Sequence, residues 1–246
     1  MKYGYIADLS DFRDHVLSLP ITGKQPPLID LRPKMPPIYD QGQLGSCTAN
    51  ALAGHVEYDL MCESKGKWTP SRLFIYYNER SMEGTISSDS GAQIRDGIKS
   101  LAKQGVCPET DWPYNIAEFA IKPTTKAYSD AKKYIAVKYA RVLQNLVQMK
   151  ACLVNKIPFV VGISVYESFE SAEVAKTGIV PMPDPSERLL GGHAVLAVGY
   201  DDSKQVFIMR NSWGTSWGQS GYFSLPYTYL LDDNLAQDMW AINLVS

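Results

Sequence analysis

The segment QGQLGSCTANA, residues 41–51, is a polar, glycine-containing loop that leads into a predicted helix. Small apolar side chains follow its cysteine at helical spacing, namely Ala49, Leu52, Ala53 and Val56. This pattern places Cys47 in the first turn of the helix, where unpaired N–H groups and the helix dipole favour a thiolate. The side-chain amide of Gln41 and the backbone N–H of Cys47 are a candidate oxyanion hole, because two donors would converge beside one nucleophile.

Two distant segments supply the partners that a thiol nucleophile needs. GGHAV, residues 191–195, places His193 behind two glycines at the start of an apolar run. RNSWG, residues 210–214, places Asn211 at the end of another apolar run. A cysteine, a histidine and an asparagine in this order can act as nucleophile, base and orienting group in acyl transfer. Without these partners, Cys47 would be interpreted as an ordinary buried cysteine after a glycine turn.

These three motifs resemble those of the papain-like (C1) cysteine peptidases. His193 lies 146 residues after Cys47 and Asn211 lies 164 residues after it, whereas papain-type enzymes have spacings of roughly 130–150 residues. The larger spacing of Asn211 indicates longer loops. The resemblance implies a cysteine endopeptidase that uses no metal or cofactor and cleaves peptide or protein substrates through an acyl-enzyme thioester.

The resemblance also implies an α+β fold of two lobes with the active site in the cleft between them. A mainly helical lobe, residues 28–138, would carry the nucleophile, and a mainly β lobe, residues 139–246, would carry the histidine and the asparagine. The second lobe is predicted to be a small antiparallel β-barrel. Residues 1–27, the N-terminal arm, are either a short inhibitory pro-segment of a zymogen or a strap on the back of the fold. A short helix is predicted within the arm, at Asp8–Leu17.

Further roles are implied by the same resemblance. Asn211 would hold the imidazole of His193, and Trp213 would lie over their contact and exclude water. The pKa of the Cys47 thiol would be strongly depressed, as it is in papain.

Substrate-binding positions are implied at Trp213 and at four small residues, Gly91, Ala92, Gly162 and Ala194. Gly91 would lie along an extended substrate. Ala92, Gly162 and Ala194 would line the pocket for the second residue before the scissile bond. The floor of that pocket falls near residues 236–240, where Asp238 would admit arginine and Met239 would favour leucine or phenylalanine. The sequence does not decide between these two.

Composition excludes several classes of protein. The 246 residues carry a net charge of −2 without a basic block, so nucleic-acid binding has no electrostatic basis. No apolar run approaches the ~20 residues of a membrane span, and residues 1–19 lack the apolar core of a secretory signal. A monomer is expected, cytoplasmic at synthesis or exported by a route that needs no signal peptide.

The cysteines point to a reducing compartment at synthesis. Secreted relatives usually form a disulfide through a cysteine three residues before the nucleophile, and this position is Leu44 here. The other three cysteines, Cys62, Cys107 and Cys152, have no metal-ligand spacing and are predicted to be small buried side chains.

Alternative activities remain open at this level. The three histidines of the chain do not supply the paired histidines of an occluding loop, which favours an endopeptidase over a dipeptidyl carboxypeptidase. A peptide ligase or acyl transferase on the same scaffold would transfer the acyl group to amines in preference to water. An inert peptide-binding pseudoenzyme would show no turnover at all.

Overall fold

The computed structural model describes residues 2–20, 23–64 and 66–244. Its α-helices are α1 Cys47–Cys62, α2 Arg72–Glu83, α3 Ile94–Gln104, α4 Thr125–Ala131, α5 Leu146–Val154, α6 Ala172–Thr177 and α7 Tyr227–Leu231. Its β-strands are β1 Tyr5–Ile6, β2 Val16–Leu17, β3 Leu28–Asp30, β4 Ala92–Gln93, β5 Ala136–Val142, β6 Phe159–Tyr166, β7 Leu189–Asp201, β8 Val206–Arg210, β9 Tyr222–Pro226 and β10 Ala236–Leu244. In this part of the chain, every helix is too short or too polar to cross a bilayer.

Helix α1 is buried around nearly its whole circumference. Thirteen of its sixteen residues are buried, as expected for a helix that packs between other elements rather than on the surface. It contacts strand β7 on one side and helices α2 and α3 on the other. Gly54 permits this close packing, since a Cβ there would lie 3.1 Å from Nε of Arg210. The N-terminus of α1, with Cys47, therefore lies where the helices meet the sheet.

The main sheet has the strand order β2-β5-β10-β6-β7-β8-β9, with β3 paired to β7. All pairings are antiparallel except the short parallel pairing of β2 with β5. The α+β class predicted from the sequence is confirmed. The predicted barrel is wrong in one respect: among the described residues the outer strands β2 and β9 do not pair with each other, so the sheet stays open.

Helix α1 begins at Cys47, as the sequence pattern predicts, whereas the prediction for the arm is wrong. No helix forms at Asp8–Leu17, because the arm pairs with strands β4 and β5 of the body instead. The side chain of Asp8 instead accepts a hydrogen bond from the backbone N–H of Arg95 in the first turn of α3, at 3.1 Å. The proposed lobe boundary at residue 139 lies inside β5, and the division into lobes stays a prediction.

Candidate active site

Cys47 is fully buried at the first turn of helix α1. Its Sγ accepts a hydrogen bond from the backbone N–H of Ala194 in β7, at 3.4 Å. This contact joins the helix N-terminus to the strand that carries His193, the residue directly before Ala194. The predicted nucleophile and the predicted base are thus neighbours across the junction between the helices and the sheet.

The hydrogen bonds of Asn211 define the tautomer of His193. Oδ1 of Asn211 accepts the backbone N–H of Ser212 at 2.8 Å, which fixes the orientation of the amide. The same Oδ1 lies 2.8 Å from Nε2 of His193. Because this oxygen can only accept, Nε2 must carry the proton, and Nδ1 of a neutral imidazole has a free lone pair. Nδ1 is buried and has no hydrogen-bond partner among the described residues.

Gln41 is held in place by a residue that the sequence analysis did not single out. The hydroxyl of Ser212 donates to Oε1 of Gln41 at 2.6 Å, so the NH₂ group of the amide must face the other way. Its Nε2 donates to the carbonyl oxygens of Leu44 at 3.0 Å and of Lys2 at 3.2 Å. Ser212 belongs to the Asn-Ser-Trp motif, and that adjacency was the available signal for a positioning role.

Trp213 covers the contact between His193 and Asn211. Its ring stacks on the imidazole of His193 with centroids 4.8 Å apart and planes 25° apart. Phe169 and Trp217 pack edge-on against the same indole, at 5.6 Å and 5.0 Å. This aromatic wall keeps water away from the Nε2–Oδ1 hydrogen bond, which is stronger in such a setting than in water.

The N-terminal arm runs through this site. Gly4 lies against the loop before Cys47 and donates its backbone N–H toward the thiol. The carbonyl of Gly4 accepts the backbone N–H of Ala92 at 2.7 Å, and strand β1 continues parallel to β4 from there. The carbonyl oxygen of Lys2 accepts a hydrogen bond from Nε2 of Gln41, the predicted oxyanion donor. The first residues of the arm thus lie in the cleft and not on the back of the fold.

Side chains anchor the first residues of the arm on both sides of Gly4. Nζ of Lys2 forms an ion pair with Asp89 at 2.5 Å. The hydroxyl of Tyr3 donates to Glu170, and its ring packs edge-on against the imidazole of His193 at 6.2 Å. The arm therefore blocks access to the base as well as to the thiol.

Asp8 anchors the arm beyond strand β1. Its side chain is fully buried and accepts Nε1–H of Trp240 at 2.8 Å. Nη2 of Arg141 lies 3.2 Å from its Oδ2, and Nε of Arg141 pairs with Asp14 at 2.6 Å. Arg95 also pairs with Asp14, at 2.5 Å. Two arginines of the body thus hold two aspartates of the arm.

Burial sets the protonation of the catalytic pair in this form. It raises the pKa of the Cys47 thiol to about 12, although the N–H groups of Ala194 and Gly4 lower that pKa in part. Burial also lowers the pKa of the His193 imidazole to about 4, against the hydrogen bond with Asn211, which raises it. The depressed thiol pKa implied by the family resemblance is therefore wrong while the arm lies in the cleft: thiol and imidazole are both neutral at pH 7.

This protonation predicts slow alkylation of Cys47 in the full chain. With a thiol pKa of about 12, the thiolate fraction at pH 7 is on the order of 10⁻⁵ and grows about tenfold per pH unit. Iodoacetamide should therefore modify Cys47 at a rate that rises steadily from pH 6 to pH 9. Peptide mass mapping separates this rate from that of the exposed Cys62, which serves as the internal comparison. A rate that is already constant at neutral pH would contradict this assignment.

The predicted substrate-binding residues line the path of the arm. Gly91 has φ +77°, and a Cβ there would lie 2.3 Å from the carbonyl oxygen of Gly4. The hydrogen bond to the extended segment comes from its neighbour Ala92. Gly162 lies directly under the ring of Tyr5. Ala194 contacts the thiol through its backbone N–H.

Of the two residues predicted near the pocket floor, Asp238 contacts the arm, through the hydroxyl of Tyr5. Asp238 has φ +54° at an irregularity of strand β10, between Gln237 and Trp240. This left-handed conformation is tolerated by aspartate better than by most residues, and it turns the carboxylate toward the hydroxyl of Tyr5. Met239 packs in the core, 3% exposed. The alternation of inward and outward side chains along β10 could not predict which of the two residues faces the cleft, because the irregularity shifts the register of the strand.

All four cysteines are free thiols, in line with the predicted lack of a disulfide framework. Cys107 and Cys152 are buried as predicted, whereas Cys62 is exposed at the end of α1, so its predicted burial is wrong. Residues 2–20, 23–64 and 66–244 contain no cluster of histidine, cysteine and carboxylate side chains suited to a metal ion.

Comparisons with known proteins point to one protein family. The sequence model of the family "Papain family cysteine protease" matches residues 25–230. An uncharacterised peptidase C1-like protein of Acanthamoeba polyphaga mimivirus is 48% identical over 216 residues, which are 84% of this chain and 70% of that protein. Cysteine proteinase 1 of Entamoeba histolytica is 30% identical over 210 residues, 81% of this chain and 63% of that protein.

The fold is also similar to a solved structure over nearly its whole length. Xylellain, a cysteine protease from Xylella fastidiosa, superimposes with a TM-score of 0.95 at 44% identity, covering 99% of this chain and 96% of that one. The mimivirus and Entamoeba proteins are longer than this chain, which spans 70% and 63% of them.

Proposed function

The chain belongs to the papain family of cysteine proteases, and we propose that it is an endopeptidase with Cys47 as nucleophile, His193 as base and Asn211 as orienting residue. One observation carries the assignment. Oδ1 of Asn211 receives Nε2–H of His193, which leaves Nδ1 as the nitrogen that can take the proton of the thiol. Its substrates are peptides or proteins, and we propose that it acts as a monomer.

Each step of the reaction has a group in the site. His193 takes the proton of Sγ as the sulfur attacks the peptide carbonyl, and it then protonates the leaving amine. The backbone N–H of Cys47 and Nε2 of Gln41 hold the oxyanion, with Ser212 fixing the amide of Gln41. Water activated by His193 hydrolyses the thioester and releases the acid. Trp213 excludes other water from the imidazole–amide contact throughout.

We further propose that the arm makes the full chain a zymogen. The carbonyl of Lys2 uses the donor of Gln41, and Gly4 covers the thiol. In the arm, Lys2 lies at the oxyanion donor and Tyr5, three residues later, lies in the pocket. In a substrate the order is reversed, because the residue in the pocket comes before the scissile carbonyl that faces the oxyanion donor. The arm therefore lies in the opposite direction to a substrate, which supports its persistence as an uncleaved inhibitor.

The products of the reaction test the proposed activity. A chain that begins at Leu28, with its fold verified by circular dichroism, should hydrolyse fluorogenic peptides faster than the full chain. Mass spectrometry should find the free acid as the main product even with an added amine nucleophile. An amine adduct as the main product would instead indicate an acyl transferase. No turnover in either chain, with Cys47 unmodified by substrate, would indicate an inert binding protein.

A further inference from the structure

Two glycines make room for an aromatic ring beside the catalytic pair. A Cβ at Gly162 would lie 2.0 Å from Cζ of Tyr5, and a Cβ at Gly192 would lie 2.5 Å from the backbone carbonyl oxygen of Tyr5 and 2.8 Å from its Cδ1. Neither glycine has a positive φ, so the backbone alone would accept any residue at both positions. Gly162 is therefore explained by the space that the ring of Tyr5 fills, and Gly192 by the close approach of both the backbone and the ring of Tyr5.

The far end of this pocket carries one carboxylate oxygen that faces the cleft. Oδ2 of Asp238 accepts the hydroxyl of Tyr5 at 2.5 Å and the backbone N–H of Asp8 at 2.7 Å. Both donors belong to the arm. When the arm leaves, this oxygen loses both of them and becomes available to a side chain of the substrate.

The other oxygen of Asp238 is already engaged by the body of the protein. Oδ1 accepts Nη1 of Arg141 at 3.0 Å, and the guanidinium is held over the ring of Trp240 at 4.5 Å. Two other carboxylates contact Arg141, those of Asp8 and Asp14, and both residues belong to the arm. In the freed enzyme, the end of the pocket is thus a paired carboxylate and guanidinium rather than an isolated negative charge.

We propose that Asp238, paired with Arg141, selects tyrosine as the second residue before the scissile bond, with Tyr5 of the arm as its built-in analogue. This inference rests on the proposed peptidase activity. A tyrosine donates its hydroxyl to Oδ2, whereas phenylalanine fills the same space and leaves a desolvated carboxylate oxygen without a donor. Arginine or lysine would bring a second positive charge beside Arg141.

Turnover of matched substrates tests the selection. Fluorogenic dipeptides that differ only in their first residue (tyrosine, phenylalanine, leucine or arginine) and share alanine at the second are compared on the full-length Gly4→Ala variant, whose arm is expected to dock about a hundredfold more weakly or worse. We expect kcat/KM for tyrosine to exceed that for phenylalanine by about tenfold or more. Equal values for tyrosine and phenylalanine, or a preference for arginine, would overturn the inference while leaving the peptidase assignment intact.

A second substitution assigns the preference to the carboxylate. Asp238→Gly, added to Gly4→Ala, keeps a residue that accepts φ +54° and should bring the tyrosine-to-phenylalanine ratio to about 1. Asp233→Asn is the matched control, an exposed carboxylate of the preceding loop, and should leave the ratio unchanged. A ratio that survives Asp238→Gly would place the selection elsewhere.

Binding without turnover gives a readout that does not depend on the peptidase activity. Acetylated dipeptide amides are used to protect Cys47 of the Gly4→Ala variant from iodoacetamide. The tyrosine peptide should protect at about a tenfold lower concentration than the phenylalanine peptide. Equal protection would overturn the inference even in a variant that hydrolyses nothing, and a lack of hydrolysis alone would count against the proposed activity only.

Discussion

The full-length Gly4→Ala variant is expected to hydrolyse peptides about a hundredfold faster than the unaltered chain, or faster still. A Cβ at this position would lie 1.8 Å from the carbonyl oxygen of Gly45 and 2.3 Å from its carbonyl carbon. Both are backbone atoms of the loop before Cys47, so no side-chain rotation can relieve the overlap. A hundredfold gain corresponds to a loss of about 2.8 kcal/mol in the docking free energy of the arm.

The same substitution adds no strain to the arm once it is displaced, because Gly4 does not have a positive φ. The initial rate with a fluorogenic peptide is the measurement. Phe12→Ala is the control within the arm, since this side chain is 99% exposed. It should leave the rate of the full chain unchanged. Equal rates for Gly4→Ala and the unaltered chain would mean that the arm does not inhibit.

Replacing His193 by alanine in the Gly4→Ala variant is expected to lower kcat by about a thousandfold or more. Nδ1 is the nitrogen left free to take the thiol proton, and the same ring protonates the leaving amine. Without it the thiol has no base and the amine no acid. Steady-state kinetics should show the loss in kcat, because the residue assists the chemical steps rather than binding of the substrate.

His15→Ala in the same background provides the comparison, since His15 is exposed and belongs to the displaced arm. This variant should retain the kcat of its parent. A His193→Ala enzyme that kept a tenth or more of the parental kcat would contradict the role of the imidazole as base.

The candidate catalytic residues could be named from the sequence because each of them lies in a short local pattern. Cys47 follows a loop and starts a helix, His193 precedes the apolar run of β7, and Asn211 directly follows β8. Such patterns depend on residues that are close in sequence, so the fold class and the four central residues could be named in advance. Ser212 lies in the same motif as Asn211, but its partner could not be named, because its hydroxyl donates to Gln41, 171 positions away in the chain.

The position of the arm was not predictable for a similar reason. Strand β1 has two residues, too few for an alternating pattern, and Tyr3, Gly4 and Tyr5 become meaningful only against their distant partners in the cleft. The contact between Asp238 and Tyr5 was not predictable either, because it depends on a left-handed conformation of Asp238 that no local signal indicates. That the sheet stays open between β2 and β9 was also not predictable, because it depends on which distant strands pair and not on the sequence of each strand.

Labelling with an epoxysuccinyl inhibitor tests most directly whether Cys47 is a nucleophile that the arm silences. The unaltered chain and the Gly4→Ala variant are incubated with the inhibitor at pH 7, and the adducts are mapped by mass spectrometry over time. The account predicts an adduct on Cys47 that forms about a hundredfold faster in the variant, in parallel with its peptidase activity. Labelling of Cys47 at the same rate in both chains, or labelling of Cys62 alone, would contradict it.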